Sequence, residues 1–172
     1  MNETSQIRAA KTSPVIRILF VCTGNICRSP MAEGVFRHLV EEAGLSGSIE
    51  ARSAGTDSYH VGEKPDARAV NVAARAGVSL EGIRARKIHL GDFDNYDYIF
   101  AMDGGHIYEL KEQAPERSRA KLVMFLAAAS SLKEIEVPDP WYGAEEDFER
   151  SWKLISEGAS ALLKKIREDH HL

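Results

Sequence analysis

Apolar positions fall in two alternating rhythms. Val15 to Val21 is a near-continuous apolar run broken only by Arg17, the pattern of a strand buried on both faces of a parallel sheet. From Pro30 to Glu42 the spacing changes, and Met31, Val35, Leu39 and Val40 form a helical stripe that Gly44 stops. Ile49 to Ala54 predicts a short second strand. Pro65-Asp66 opens a second helix through Ala69, Val70, Ala73 and Ala74, closed at Gly77. Tyr96 to Met102 and Lys121 to Phe125 are the third and fourth apolar runs. A last helix carries Phe148, Trp152, Ile155, Ala159, Leu162 and Ile166 at steps of three and four, with Glu145, Glu146 and Asp147 at its positive end.

Strands alternating with helices predict an α/β fold, an open parallel sheet with helices on both faces. Ligands of such sheets bind outside the carboxyl ends of the strands. Cys22 follows the first run, Asp103 the third, and the segment holding Asp139 comes after the fourth, so all three can reach one rim. No internal repeat or low-complexity tract interrupts the pattern. Residues 1–14 are polar, carry Arg8 and Lys11 and lack the apolar stretch of a secretory signal; they read as a flexible N-terminal arm ahead of a single domain over 15–172.

Composition narrows the partners. A 44% hydrophobic fraction in 172 residues supports one real core. Lys plus Arg number 22 against 26 Asp plus Glu, a formal net charge of −4 that gives no sign of a nucleic-acid or membrane-surface partner. No apolar run approaches the roughly 18 residues of a membrane span. The six histidines are scattered apart from His170-His171, without metal-ligand spacing, and read as surface or tail residues. The two cysteines, Cys22 and Cys27, lie five residues apart, which favours a reducing compartment and makes the cytoplasm the expected location.

The segment Cys22-Thr23-Gly24-Asn25-Ile26-Cys27-Arg28-Ser29-Pro30 carries the chemistry. A lone cysteine after a strand is commonly a small buried hydrophobe. Here Gly24 is expected to let the backbone fold back, Arg28 suits bidentate phosphate binding, and Ser29-Pro30 predicts a helix start with proline at the first helical position. Loop amides, a helix N-terminus and a guanidinium around Cys22 favour the thiolate, which is the attacking species. These features predict a phosphoryl-transfer site.

Cys22 to Pro30, taken with Asp139-Pro140-Trp141-Tyr142-Gly143, closely resembles the low-molecular-weight protein tyrosine phosphatases. Ser53-Ala54-Gly55-Thr56, Arg84-Ala85-Arg86-Lys87-Ile88 and Phe93 through Asp103 are further matches, and the likeness spans roughly Ile16 to Ile166. It implies a flavodoxin-like, four-stranded parallel sheet and hydrolysis of phosphotyrosine through a phosphocysteine on Cys22. Thr23, Gly24, Asn25, Ile26, Cys27, Arg28 and Ser29 would hold the phosphoryl oxygens. Asp139 would protonate the leaving oxygen and then activate water, although an Asp-Pro pair is also a common turn opener. No metal or cofactor is implied.

In the family, positions matching Asn25, Ser29 and Ser53 form a hydrogen-bond network that pins the loop, and the serine matching Ser29 aids the thiolate; a plain helix N-cap is the simpler reading of Ser29. Ile26, Tyr59, Trp141 and Tyr142 would wall a slot for a phenyl ring, and Cys27 would pair reversibly with Cys22 under oxidation. The chain departs from relatives at Trp141, where tyrosine is common, at Ile83, where animal relatives have histidine, and at His106, where asparagine is frequent. The expected partner is a phosphotyrosine protein or small phosphate ester, bound by a monomer. Three other readings remain at this stage. Arsenate reduction draws on downstream cysteines that this chain lacks. Arginine phosphatases of the superfamily tend to carry threonine where Ile26 stands. A phosphopeptide-binding module would not need Cys22, Arg28 and Asp139 together.

Overall fold

In a computed structural model that describes residues 14–172, the elements run β1 (Ile16–Cys22), α1 (Arg28–Glu42), β2 (Ile49–Gly55), α2 (Ala67–Arg75), α3 (Asp92–Asn95), β3 (Tyr98–Ala101), α4 (Gly104–Gln113), β4 (Lys121–Met124), a 3-10 turn at Phe125–Ala128 and α5 (Glu145–His170). The strands form one parallel sheet in the order β2-β1-β3-β4. This is the flavodoxin-like α/β arrangement that the resemblance implies. The arm expected over 1–14 lies outside the described residues apart from Pro14.

Both faces of β1 are buried because its side chains alternate. Ile16, Ile18, Phe20 and Cys22 enter one core with Met31 and Phe36 of α1 and Phe148 and Ile155 of α5, while Leu19 and Val21 enter the other with Leu110 of α4. Phe20 meets Phe36 and Phe125 edge-on, with centroids 5.6 and 5.4 Å apart. The chain leaves β1 for β2 on one side and then crosses to β3 on the other. The crevice between the β1 and β3 ends is therefore the topological switch point where such sheets bind ligands, and Cys22 and Asp103 stand at its two sides.

Helix ends follow their glycines. Gly44 has φ +70°, with its N–H on Glu41 O and that of Leu45 on Val40 O. Gly77 has φ +77°, with matching bonds from Gly77 to Ala74 O and Val78 to Ala73 O. Both are closed left-handed caps that satisfy the last carbonyls. At the other end of α2 the Asp66 carboxylate accepts the Arg68 N–H at 2.8 Å.

Other expectations need correction. Cys22 is the last residue of β1 rather than the first of the loop, and α1 starts at Arg28 with Cys27 before it. Pro30 is thus the third helical residue, not the first, a place it tolerates because first-turn N–H groups lack intrahelical partners. The third strand is confined to Tyr98–Ala101, and Phe125 starts the 3-10 turn instead of ending β4. Helices α3 and α4 were not expected. α3 has four residues, and α4 opens on two glycines and fully buries only His106 and Leu110, too little for an apolar stripe.

Candidate active site

The loop from Cys22 to Ser29 is held from outside. Thr56 N–H bonds Cys22 O at 2.9 Å, Asp57 N–H bonds Thr23 O at 3.0 Å and Asp66 N–H bonds Ile26 O at 2.8 Å. In a trans peptide the next N–H points opposite to the carbonyl, so the N–H groups of Thr23, Gly24 and Cys27 face away from those neighbours. Gly55, paired with Cys22 in the sheet, has to be glycine, since a Cβ there would stand 2.5 Å from Thr23 O.

The sharp turn belongs to Asn25, not Gly24. Asn25 has φ +56° and is fully buried, an uncommon conformation that its surroundings must over-determine. Its Nδ2 donates to Ser29 Oγ at 2.8 Å and Ser53 Oγ at 2.9 Å, and its Oδ1 accepts the Arg86 N–H at 3.0 Å. Ser53 in turn donates to Glu33 Oε1 at 2.8 Å. Gly24 is not in the left-handed region; it clears space, since a Cβ there would come 2.9 Å from His60 Cδ2. Ser29 is not an N-cap. With Asn25 donating to its oxygen, its own proton is free for Cys22 Sγ at 3.0 Å or Ala54 O at 3.4 Å, and a hydroxyl donating to sulfur stabilises a thiolate.

Arg28, the first residue of α1, is only 3% exposed. Its Nη1 donates to Asp103 Oδ2 at 2.7 Å and Val137 O at 3.1 Å, while Nη2 lies 3.5 Å from Thr23 Oγ1 and 3.6 Å from Asp139 Oδ2. Burial pushes the Asp103 carboxyl up, but the Arg28 hydrogen bond and the neighbouring His106 outweigh it and hold it below the usual range. His106 is buried with Nε2 2.8 Å from Thr23 Oγ1. Burial, reinforced by the Arg28 charge, lowers its pKa to about 4. The ring is therefore neutral near pH 7, and Nε2 accepts the Thr23 hydroxyl when the proton sits on Nδ1. That nitrogen is 3.2 Å from Asp103 Oδ1, without hydrogen-bond alignment.

Cys27 is a free, buried thiol, as is Cys22. Burial, then Asp66, Cys22 and Asp139, push the Cys27 thiol far up. It stays protonated and does not compete as a nucleophile.

Cys22, Arg28 and Asp139 open onto one cleft of about 190 Å³, with Ile26, Tyr59, His60, Trp141 and Tyr142 around it. That is below the roughly 300–1,000 Å³ of sites for drug-sized ligands and suits a small ester head. Tyr59 and Tyr142 are mostly exposed, and the Asp139 side chain is 45% exposed at the mouth. The Asp139 carboxylate accepts the Trp141 N–H at 3.1 Å, so it also shapes its own turn. A larger groove of about 590 Å³ runs beside α2 from Lys64 to Arg84, but neither cysteine nor histidine lines it. Among the described residues no group of three or more His, Cys, Asp or Glu is placed to hold a metal ion, and no helix is long and apolar enough to cross a membrane.

All the expected site residues meet at this cleft or in the network beneath it. Several that matter were not singled out. Asp103 had only its place after an apolar run as a signal. Glu33 is a charged residue inside the buried stripe of α1, one turn from Ser29, which was a usable sign. The reading of the histidines as surface residues is wrong for His106, which is buried against Thr23, and His60 lines the cleft while sitting 5.5 Å from the Trp141 ring.

Comparison with known proteins gives the same direction. The family model described as low molecular weight phosphotyrosine protein phosphatase matches residues 17–172. The chain is 42% identical over 152 residues to the low molecular weight phosphotyrosine protein phosphatase of Schizosaccharomyces pombe, covering 88% of this chain and 97% of that one. It superposes on the crystal structure of YfkJ from Bacillus subtilis with a TM-score of 0.84 at 39% identity, covering 91% and 98% of the two chains. A Drosophila arginine phosphatase structure aligns with a TM-score of 0.83 at 30% identity, covering 88% and 98%.

Proposed function

The chain belongs to the low-molecular-weight phosphotyrosine protein phosphatase family and hydrolyses phosphotyrosine, and on that footing we propose how its own residues carry the reaction. Cys22 thiolate attacks phosphorus while the bond to the phenolic oxygen breaks, and Asp139 gives that oxygen its proton. Loop amides and the Arg28 guanidinium take up the charge that gathers on the phosphoryl oxygens. Water then attacks the phosphocysteine, Asp139 accepts its proton, and inorganic phosphate leaves with the Cys22 thiolate restored. The observation that carries this reading is the placement of Cys22 Sγ, 3.0 Å from Ser29 Oγ, in the same cleft as Asp139, whose carboxylate is 3.6 Å from Arg28 Nη2.

The cleft also speaks to the ester. Ile26 offers an apolar wall, and Tyr59, Trp141 and Tyr142 offer ring faces that suit a flat phenyl group better than a guanidinium. The arginine phosphatase shares the fold, so discrimination rests on these side chains and not on the backbone. The substrate is a phosphotyrosine protein or small aryl phosphate. The enzyme works as a monomer in the cytoplasm, where reducing conditions keep Cys22 and Cys27 as thiols.

The test is phosphate release from matched phosphotyrosine and phosphoarginine peptides without added metal, with Cys22→Ser as the blank. Faster release from phosphotyrosine is expected. Preference for phosphoarginine overturns the reading of the walls, and release by the blank overturns Cys22 as nucleophile.

A further inference from the structure

Arg68 has no part in the chemistry above, yet it touches the segment that carries the acid at several points. From the first turn of α2 its Nη1 donates to Gly143 O at 3.3 Å and its Nη2 to Trp141 O at 3.2 Å. Nε and Nη2 also hold the two Asp66 oxygens at 3.0 Å each. The guanidinium lies over the Phe148 ring at 4.4 Å and within 5.7 Å of the Trp141 centroid. A planar fork with five N–H donors makes these four bonds at once, which an ammonium with three cannot.

Both ends of this arrangement reach the reacting groups. Asp66 bonds the phosphate loop through its N–H on Ile26 O at 2.8 Å. Burial pushes the Asp66 carboxyl up, but the Arg68 hydrogen bonds hold it below its ordinary range. Trp141, whose carbonyl Arg68 grips, gives its N–H to the Asp139 carboxylate. The path runs from phosphate loop to Asp66, Arg68, Trp141 and Asp139 without a gap. On the other side, Ser151 of α5 anchors the segment at Pro138 O, 2.9 Å away.

We infer that Arg68 is a positioning residue for the acid: it ties the Asp139 segment to the phosphate loop and so sets where the Asp139 proton is delivered relative to the phosphoryl group. This rests on Asp139 acting as the acid. General acid catalysis contributes about 10²- to 10⁴-fold and falls steeply with misplacement. Loss of the tie removes part of that contribution and leaves the phosphate cradle intact.

The experiment compares kcat/KM for phenyl phosphate, whose leaving group needs a proton, and dinitrophenyl phosphate, whose leaving group does not. Arg68→Met, which keeps an unbranched stem over Phe148, should lose about tenfold on phenyl phosphate and less than about twofold on the dinitrophenyl ester, a fraction of the general-acid term. Inhibition by inorganic phosphate should stay within about twofold, because the loop amides and Arg28 remain in place. Asp139→Asn should show the same selectivity more strongly, and adding Arg68→Met to it should cost nothing further. Equal losses on both esters, or none, in Arg68→Met while Asp139→Asn discriminates would overturn the role of Arg68. If Asp139→Asn itself fails to discriminate, the acid assignment falls and this inference with it. Should Arg68→Met melt too early, Arg68→Lys is read in the same way, since it keeps the charge but not the fork.

Discussion

The phosphate loop and the segment that carries Asp139, the proposed acid, face each other across one cleft and are built to opposite specifications. Asn25 and Ser29 are fully buried and Cys22 and Arg28 are each 3% exposed, whereas Trp141 is 37% and Tyr142 93% exposed. The loop is fixed from β2, α1 and the strand-end segments around Arg86 and Asp103. The acid segment hangs from Arg68, Ser151 and one turn of its own. Stabilising charge on a phosphoryl group needs fixed dipoles in a dry place, which do not reorganise as the charge moves. Delivering a proton and admitting a ring needs access. On the proposed mechanism the reaction divides between a rigid half and an open half.

The sharpest test of that division is Cys22→Ser. Turnover should fall by at least about 10⁴-fold, as when a nucleophile is removed elsewhere, while calorimetric binding of inorganic phosphate persists. If phosphate binding vanishes as well, the cradle depends on the sulfur and is not independently formed. Next comes Asn25→Ala. It removes bonds to Ser29, Ser53 and Arg86 and leaves a left-handed residue without a short polar side chain, so stability should fall by about 2–4 kcal/mol. Tyr142→Ala, on the open side, should raise KM for phosphotyrosine peptides with the melting temperature unchanged. Matching effects in the two variants would erase the distinction between the halves.

A further effect appears only as pH falls, in the pH dependence of stability. His106, held near pKa 4 in the fold, takes up a proton in the unfolded chain near 6.5. Between those values the unfolded state binds more protons, so stability falls as pH drops from about 6.5 toward 4 and rises as pH increases. The loss from this residue is on the order of 3 kcal/mol. His106→Asn should flatten that acid limb in thermal melts across the same window. An unchanged slope would mean the limb in this window belongs to other groups; Asp103 is not among them, since its lowered carboxyl loses stability only as pH falls below the ordinary carboxylate range.

Much of the cleft was legible because the phosphate loop is contiguous. Nine residues from Cys22 to Pro30 carry the proposed nucleophile, a cation and a helix start together, and Asp139 to Gly143 carry the proposed acid with two aromatics. The long apolar stripe of α5 and the glycines at 44 and 77 made element ends readable for the same reason, since capping depends on neighbours in sequence. Where expectations failed, the deciding contact was distant. Pro30 and Ser29 looked like a helix start, but the hydroxyl was claimed by Cys22, Asn25 and Ala54 and the helix began earlier. His106 looked like a surface residue because nothing near it in sequence shows that Thr23, 83 positions away, would be its partner.

The sequence by itself determined the alternation of strands and helices, the Cys22 to Pro30 loop and the Asp139 to Gly143 segment, since each rests on periodicity or chemistry within a few residues. Only the tertiary structure decided that Asp103 would grip Arg28, that Arg86 and Ser53 would lock Asn25 in a left-handed turn, and that Arg68 would join the two halves of the cleft. Those contacts span 28 to 75 positions. They exist because parallel crossovers bring the carboxyl ends of β1, β2 and β3 to one rim, and no local pattern encodes which side chains meet there.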